Sequence, residues 1–523
     1  MMNIKRHVIA ATAGVSAILM ALTGCGGSKA ATDSNGKPLV KIAIITPAAT
    51  QSVKKMKWTK QLEAACDCTI QWQQIGNDAW SQQKNAALAA GDVADITVWG
   101  YNKSDFAKNP LFEDLSDDLD KMPNAKKYFK EDAYAKKFAT DLQGRIFQIP
   151  SSVYERNTAL VGGQTMMINK TWLDKLGLQV PKTWDELEQV LKAFKEKDPN
   201  GNGKQDEIPF DINALGTTGI GWWSPFLLLN GTGISTQVSQ IGGQGLYVKN
   251  GKVKDFLTTS NFREVIEYYN KLISEGLVPA DALTKASDKY TAEMQNDGKT
   301  ARVGVAFGWN TSAFGSGLED QYVTMLAPTA PGAKTTWESE QPDVYNGAAV
   351  AKDSPYKEQA FKIINKWLDP DVSMESYYGD KGTYLVKNGT NDYSVKPAAF
   401  KDSSVNVSLA DRGLTWMRPG VKLHGVTDVD LSNKEWAIYK DVQPKADSKD
   451  TMPSYVTMND TDQNDVSNRN TPIFAYALPQ IANWMQKGGL NDSTWKAYVD
   501  KLNSLGLQDN VKTWQKWYDK YTK

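Results

Sequence analysis

The residues with the clearest capacity for chemistry form an acidic and amide-rich loop at positions 198–207. Side chains that carry oxygen alternate along it, and Gly203 stands at its sixth position. Calcium takes roughly six to eight oxygen ligands, and a loop that wraps the ion needs a sharp turn at that glycine. The pattern therefore predicts a structural Ca²⁺ site. Its expected ligands are Asp198, Asn200, Asn202, the backbone carbonyl of Lys204, Asp206 and Glu207.

The loop departs from the usual calcium pattern at one position. Its twelfth residue, where a glutamate normally completes the coordination, is Pro209. Glu207 therefore has to take over that part. The alternative interpretation is an Asn/Gly turn that leads into Ile208 and binds no metal.

Histidine and cysteine chemistry is restricted. The chain has two histidines, and His7 belongs to an N-terminal signal, so His424 alone would remain in the mature protein. A Ser-His-Asp hydrolase needs a positioned imidazole, and catalytic zinc usually needs several, so His424 is expected to be a surface or structural residue.

Cys66 and Cys68 are separated by one residue. A bridge across so short a loop is uncommon, and the sequence leaves a disulfide and two free thiols both open.

The N-terminus predicts a secreted lipoprotein. Lys5 and Arg6 precede an apolar stretch from Val8 to Leu22, which is short for a membrane span and typical of a signal peptide at 1–24. Leu-Thr-Gly-Cys, ending at Cys25, resembles the bacterial lipobox. That resemblance implies cleavage before Cys25, diacylglyceryl and palmitate-type acyl chains on this residue, a flexible tether at 25–38 and a position on the extracellular face of the cell membrane. The alternative is an unmodified cysteine after an ordinary signal.

Net charge limits the class of ligand, and chain length indicates the number of domains. The whole chain has 60 basic and 60 acidic residues, and removal of the signal takes away Lys5 and Arg6 alone. A nearly neutral mature protein without a basic patch is a poor match for nucleic acid and suits a neutral ligand. With 523 residues the chain exceeds the roughly 250–300 at which a single core stops growing, so two domains are expected.

The elements that must position these residues follow an α/β pattern. Strand-like runs at Leu39–Thr46 and Asp95–Trp99 flank a helical stretch, and the theme returns late at Gly347–Ala351. We find no internal repeat and no linker rich in Pro or Ser, so two interleaved lobes are predicted. The N-terminal lobe is expected at 39–153 plus 305–352 and the C-terminal lobe at 154–304 plus 353–523.

Several segments together resemble the extracellular solute-binding proteins, family 1, of bacterial carbohydrate ABC transporters. They are Ala87–Ile96, Leu111–Leu115, Met167–Leu178 and Pro181–Leu187. The calcium loop is similar to that of the alginate- and oligosaccharide-binding branch. The resemblance implies a periplasmic-binding-protein-like type II fold, in which two α/β lobes are joined by a hinge around a ligand cleft. It also implies a monomer that closes on an oligosaccharide and delivers it to permease subunits.

Aromatic residues would form such a cleft, because sugar rings stack on aromatic faces while their hydroxyls need directed polar partners. The chain has 17 Trp and 21 Tyr, and several fall just after strands or in the segments expected to cross between lobes. The predicted ligand-binding residues are Trp99, Tyr101, Tyr154, Glu155, Asn157, Trp222, Trp223, Trp309, Asn310, Tyr345, Asn346, Tyr377 and Trp416.

Two other functions stay open. A secreted glycoside hydrolase needs two carboxylates roughly 5–10 Å apart and no histidine, and acidic residues are plentiful. No pair stands out, so we expect no enzyme activity. A cell-surface adhesin would hold a glycan without passing it to a transporter.

Overall fold

Strands and helices alternate along the chain in a computed structural model, which describes residues 30–153, 163–238, 240–401 and 404–523. The strands are β1 (Leu39–Thr46), β2 (Thr69–Gly76), β3 (Ile96–Val98), β4 (Ile149–Ser152), β5 (Thr165–Asn169), β6 (Ile208–Phe210), β7 (Leu246–Lys249), β8 (Lys252–Asp255), β9 (Val303–Gly308), β10 (Tyr322–Met325), β11 (Val344–Val350), β12 (Leu385–Gly389), β13 (Asp392–Val395) and β14 (Lys422–His424). The α-helices are α1 (Thr59–Cys66), α2 (Asn77–Ala90), α3 (Lys103–Lys108), α4 (Pro123–Glu131), α5 (Ala133–Ala139), α6 (Lys170–Leu176), α7 (Trp184–Glu196), α8 (Ser260–Ser274), α9 (Ser287–Gln295), α10 (Lys357–Trp367), α11 (Pro370–Tyr378), α12 (Thr427–Glu435), α13 (Asp460–Lys487), α14 (Asp492–Ser504) and α15 (Leu507–Thr522).

The first sheet has the strand order β2-β1-β3-β11-β4. β1 is parallel to β2 and β3, whereas β11 is antiparallel to both β3 and β4. The sequence of β1 is rich in β-branched residues, which favours a strand, and its Ile42 and Ile44 are fully buried. Leu62 of α1 and Phe361 of α10 belong to the same apolar core.

The second sheet has the strand order β10-β5-β9-β6. β9 is parallel to β6 and antiparallel to β5. Phe194 of α7, Tyr269 of α8 and Phe474 of α13 pack with it in a separate, larger core. Two α/β sheets with their own cores agree with the predicted two-lobed α/β architecture.

The start of α7 shows how local sequence sets these elements. The Thr183 side chain accepts a hydrogen bond from the backbone N–H of Glu186, and the Glu186 carboxylate accepts one from the backbone N–H of Thr183, both at 3.2 Å. This capping box satisfies N–H groups that lack a partner in the first turn. Leu187 and Leu191, four residues apart, are then fully buried on the face that meets the second sheet.

The predicted lobe boundaries at 305–352 and 353–523 need correction. β9 and β10 belong to the second sheet, whereas the prediction puts the whole segment 305–352 in the first lobe. Within that segment, β11 does join the first sheet. Residues between Tyr356 and Val372, and again between Leu409 and Trp416, pack in the core of the first sheet, although the prediction puts them in the second lobe. The residues between Met374 and Val395 pack in a separate third cluster. Apolar periodicity reveals that a segment is a buried strand or helix. It does not reveal which distant strand the segment pairs with.

The remaining strands form a sheet with the order β12-β13-β14 and the hairpin β7-β8.

Cys66 and Cys68, for which the sequence allows either a disulfide or two free thiols, are joined by a disulfide. Their Cα atoms are 5.2 Å apart, and both residues are buried. His424 lies exposed on β14, 3.1 Å from Asp392, as expected for a surface residue. In the part of the chain that the structure describes, no helix has the length and apolar character needed to cross a bilayer.

Candidate ligand-binding cleft and calcium loop

Two chain connections join the carboxyl-terminal edges of the two sheets. β4 ends at Ser152 on that edge of the first sheet, and β5 begins at Thr165, which pairs with Gly308 at the end of β9. The chain returns from Met325, the end of β10, to Val344 at the start of β11. The edge that follows β3 and the edge that follows β9 therefore meet across these connections. Open α/β sheets place ligands at such edges.

Trp99 stands on the first of these edges. Its backbone N–H donates to the carbonyl of Gly347 at 3.0 Å, and its φ of 64° is left-handed, so the chain turns sharply as β3 ends. The indole centroid lies 5.8 Å from the ring of Tyr345 and 4.0 Å from the guanidinium carbon of Arg412. Trp99 Nε1 and Arg412 Nε are both buried, and neither has a hydrogen-bond partner among the described residues. Two predicted residues, Trp99 and Tyr345, are thus brought together with an arginine that the sequence did not single out.

The second edge carries another aromatic group. The backbone N–H of Trp223 donates to the side chain of Gln164 at 2.8 Å, and its indole N–H donates to the carbonyl of Gly163 at 2.9 Å. Gly163 has a φ of +73°, and a Cβ atom on it would lie 2.0 Å from the ring of Trp309. Only glycine therefore fits beneath this indole. Trp222, the neighbour of Trp223 in the same turn, has 44% of its surface exposed.

Three predicted ligand residues are packed inside the protein and are corrected here. Tyr101 is 4% exposed and lies 4.7 Å, centroid to centroid, from Phe112 in a small apolar cluster. Trp416 is 1% exposed and stacks on Tyr128 at 5.1 Å. Asn310 is fully buried, and its side-chain oxygen accepts a hydrogen bond from the backbone N–H of Ser312 at 3.0 Å. Burial removes Tyr101, Trp416 and Asn310 from direct contact with a ligand.

The other predicted ligand residues have a mixed outcome. Asn346 is half-buried and accepts a hydrogen bond from Gln148 at 3.4 Å. Tyr377 is half-buried and packs, like Tyr345, against a third apolar cluster. The predictions at Tyr154, Glu155, Asn157 and Cys25 fall outside the described residues.

The predicted calcium loop is folded around its own oxygens. One carboxylate oxygen of Asp198 accepts from the backbone N–H groups of Gly201 and Asn202 at 2.9 and 3.1 Å, and the other accepts from Gly203 at 3.0 Å. Gly201 and Gly203 have φ values of +74° and +76°, which glycine adopts without strain. Gly203 therefore provides the turn expected at the sixth position.

The two acidic residues at the end of the loop, Asp206 and Glu207, lie close to its other expected calcium ligands. Asp206 Oδ1 accepts from the side-chain amides of Asn200 and Asn202 at 3.2 and 3.0 Å. Both carboxylate oxygens of Glu207 are buried without a hydrogen-bond partner in the described chain. Burial raises the pKa of Glu207, and the nearby charges of Asp198 and Asp206 act in the same direction. No three His, Cys, Asp or Glu groups among the described residues converge as a ready metal site. Buried oxygens without partners are nevertheless what a cation would satisfy, so the residues fit calcium.

The sequence matches the family of bacterial extracellular solute-binding proteins over residues 46–374. The chain belongs to this family. Among solved structures, it is similar to an extracellular solute-binding protein from Bifidobacterium longum subsp. infantis, with 42% identity, a TM-score of 0.88 and coverage of 94% of this chain and 100% of that one. A second structure, named as an HMO-binding solute-binding protein associated with an ABC transporter in Bifidobacterium longum infantis, gives 44% identity, a TM-score of 0.86 and coverage of 93% and 100%.

A curated relative of this solute-binding protein covers nearly the whole chain. The fructooligosaccharide ABC transporter substrate-binding protein FusA of Streptococcus pneumoniae is 25% identical over 97% of each chain. Its structure with kestose has a TM-score of 0.69 at 23% identity, which bears on the fold alone. The predicted family and the periplasmic-binding-protein-like type II fold are confirmed.

Sequence reasoning missed three residues that support the aromatic groups of the two sheet edges in this solute-binding protein: Arg412, Gln164 and Trp436. Arg412 packs on Trp99 from more than three hundred positions away, and Trp436 lies 5.9 Å, ring to ring, from Trp309. Gln164 was within reach of a local argument, since it directly precedes the strand β5. The other two had no signal in the sequence, because their roles depend on tertiary contacts.

Proposed function

We propose that this solute-binding protein captures an oligosaccharide between the two sheet edges and delivers it to the permease of an ABC importer. The observation that carries the proposal is the pair of aromatic walls, Trp99 with Tyr345 on one edge and Trp223 with Trp309 on the other. Aromatic faces bind the C–H faces of sugar rings. The relatives named for fructooligosaccharide and HMO binding support the same ligand class.

Capture would proceed by hinge closure. The chain crossings between the two sheets would act as hinges that let the lobes rotate toward each other and exclude water. Stacking would then hold the sugar rings, and polar groups such as the half-buried Arg412 guanidinium would select hydroxyl patterns. No bond is made or broken, and we propose that the protein is not a glycoside hydrolase.

We propose that Ca²⁺ has a structural role in the 198–207 loop. Side-chain oxygens of Asp198, Asn200 and Asn202, the carbonyl of Lys204, and the carboxylates of Asp206 and Glu207 would hold it. The bound ion would neutralise the buried charge of Glu207 and tie the end of α7 to β6. The similar solved structures include an EF-hand mutant of FusA and an alginate-binding protein without calcium ion, and these support a bound cation as part of the proposal.

We propose that lipid on Cys25 anchors the mature monomer to the outer face of the cell membrane. The tether predicted at 25–38 is shorter than expected, because Asp33 and Lys37 bind Thr69 and Asp67 of the first lobe. The lipobox supports the anchor, and one relative is named lipoprotein LipO of Bacillus subtilis. A Cys25→Ser variant is expected in the soluble fraction and the wild type in the membrane fraction. Equal partition of the two proteins would reject the anchor.

Calorimetric titration of the soluble mature protein tests the sugar proposal directly. The panel contains fructooligosaccharides, a milk-oligosaccharide fraction and oligo-alginate, and each mixture is checked by chromatography for cleavage. One-to-one binding of an intact sugar is expected, and Trp309→Ala is expected to weaken it. Turnover would favour the hydrolase. Sugar binding without loss of import in a strain deleted for the neighbouring permease would favour the adhesin.

A further inference from the structure

Glu435, the last residue of α12, holds the turn that follows β9. Its carboxylate accepts a hydrogen bond from the backbone N–H of Thr311 at 3.0 Å and a second, short one from the Thr311 hydroxyl. Its backbone carbonyl accepts from the hydroxyl of Thr324 on β10 at 2.7 Å. Glu435 is buried. One residue from a distant helix thus ties down both the turn and the neighbouring strand.

A second contact strengthens the same junction. The side-chain amide of Asn310 donates to the hydroxyl of Ser432 on α12 at 3.3 Å, while its oxygen caps the turn at Ser312. Asn310, the residue before Thr311, is therefore also hydrogen-bonded to α12. α12 therefore holds the turn that begins at Trp309 at two positions, Asn310 and Thr311.

The side chain of Trp309 is confined by the residue that follows α12. Its ring lies 5.9 Å from that of Trp436, the residue after Glu435, at an interplanar angle of 60°. On another side it sits over Gly163, where even a methyl group has no room. Trp309 nevertheless remains partly exposed. The indole is therefore packed against neighbours on two sides, and part of its surface stays accessible.

We propose that Glu435 is a positioning residue for carbohydrate binding, which keeps Trp309 aligned in the cleft through its two hydrogen bonds to Thr311. This inference rests on the proposed function. A carboxylate suits the task because it accepts both bonds as a charged acceptor, and such bonds are stronger than neutral ones. An aromatic side chain held in its binding orientation loses less conformational entropy when the ligand arrives.

The test is a double-mutant cycle between Glu435→Gln and Trp309→Ala, with affinities measured by calorimetry on the sugar panel above. Glu435→Gln is expected to weaken binding by about tenfold in the wild-type background and by less than about twofold in the Trp309→Ala background. The matched control is Asp430→Asn, which removes the same charge from an exposed position on α12. It is expected to leave affinity unchanged.

A milder pair of variants protects the test against misfolding. Thr311→Ala removes one of the two donors to Glu435, whereas Thr311→Ser keeps the hydroxyl. Thr311→Ala is expected to weaken binding by about threefold and Thr311→Ser to restore it. Equal losses from Glu435→Gln in both backgrounds, or equal affinities of Thr311→Ala and Thr311→Ser, would overturn the positioning role.

A readout without sugar separates this inference from the proposed function. In protein labelled with 5-fluorotryptophan, the ¹⁹F signal of Trp309 is identified by its loss in Trp309→Phe. Glu435→Gln is expected to shift or broaden this signal, and Asp430→Asn is expected to leave it in place. An unaltered signal in Glu435→Gln contradicts the inference. If the wild type binds no saccharide, the proposed function fails, and the fluorine signal still decides whether Glu435 orients Trp309.

Discussion

The guanidinium carbon of Arg412 lies 4.0 Å from the centroid of the Trp99 ring. A guanidinium over an indole is worth about 0.5–2 kcal/mol, depending on how much water is excluded. This contact, together with Tyr345 at 5.8 Å, fixes the aromatic wall on the first sheet. The relationship leads to a direct prediction for ligand affinity.

Arg412→Met should weaken oligosaccharide binding by about threefold to tenfold, because methionine keeps the packing volume and loses the planar cation. Calorimetric Kd values measure the effect. The matched control is Arg145→Met, since Arg145 is exposed and its guanidinium lies 5.0 Å from the Phe147 ring, away from both sheet edges. Unchanged affinity in Arg412→Met would show that Trp99 does not depend on this contact.

A second prediction separates the exposed and the buried tryptophans. Trp222→Ala should weaken sugar binding and leave the melting temperature unchanged, because 44% of Trp222 is exposed. Trp416→Leu should lower the free energy of unfolding by about 3 kcal/mol, because a fully buried indole leaves a cavity. Thermal denaturation and calorimetry on both variants check this. A loss of stability in Trp222→Ala would place its ring in the core.

The sequence predicted correctly where Trp99 lies in the fold, because that position depends only on where a strand ends. Trp99 lies directly after β3, and the predicted strand at Asp95–Trp99 was enough to place it on the edge. The same argument predicts that Tyr101, two residues later, also lies on this sheet edge, and that prediction is wrong. The chain turns at Trp99, which has a left-handed backbone, and carries Tyr101 back into an apolar cluster.

Long-range pairing accounts for the other differences. β9 and β10 have the composition of buried strands, and no local feature shows that they pair with β5 in the second sheet. Arg412 and Glu435 were invisible for the same reason. Each acts on a residue that is distant in the sequence, Trp99 in one case and Thr311 in the other.

The calcium loop gives a prediction about metal removal. EDTA should lower the melting temperature of the mature protein, and added Ca²⁺ should restore it. Ligand at a hundredfold excess over its Kd stabilises the folded state by about 2.7 kcal/mol. The control is Asp198→Asn with Asp206→Asn, in which two of the expected charged ligands are neutral, and its melting temperature should not respond to Ca²⁺. An equal calcium response in the double variant would exclude the loop as the binding site.

The last prediction concerns Glu338, a fully buried carboxyl group beside the second sheet. One of its oxygens accepts from the Thr236 hydroxyl at 3.1 Å and from the Val238 backbone N–H at 2.9 Å, and the other has no partner among the described residues. Burial raises the pKa of Glu338 from 4.5 to about 7. Between those pH values the folded state therefore holds a proton that the unfolded state has lost.

Because of that extra proton, this group makes the protein less stable as the pH rises from 4.5 to 7, and the penalty stays constant above 7. Glu338→Gln is neutral throughout, so its stability relative to wild type should increase across this window by at most about 3 kcal/mol. Urea denaturation at a series of pH values measures the difference. The test is the change of this stability difference with pH and not its absolute value, because the buried amide of the Glu338→Gln variant, left without a full set of partners, has a pH-independent cost. Glu340→Gln, which removes a half-buried carboxylate paired with Lys445 at 2.6 Å, is the control and should show no such gain. A flat difference for Glu338→Gln would mean that Glu338 is ionised in the folded protein throughout the window.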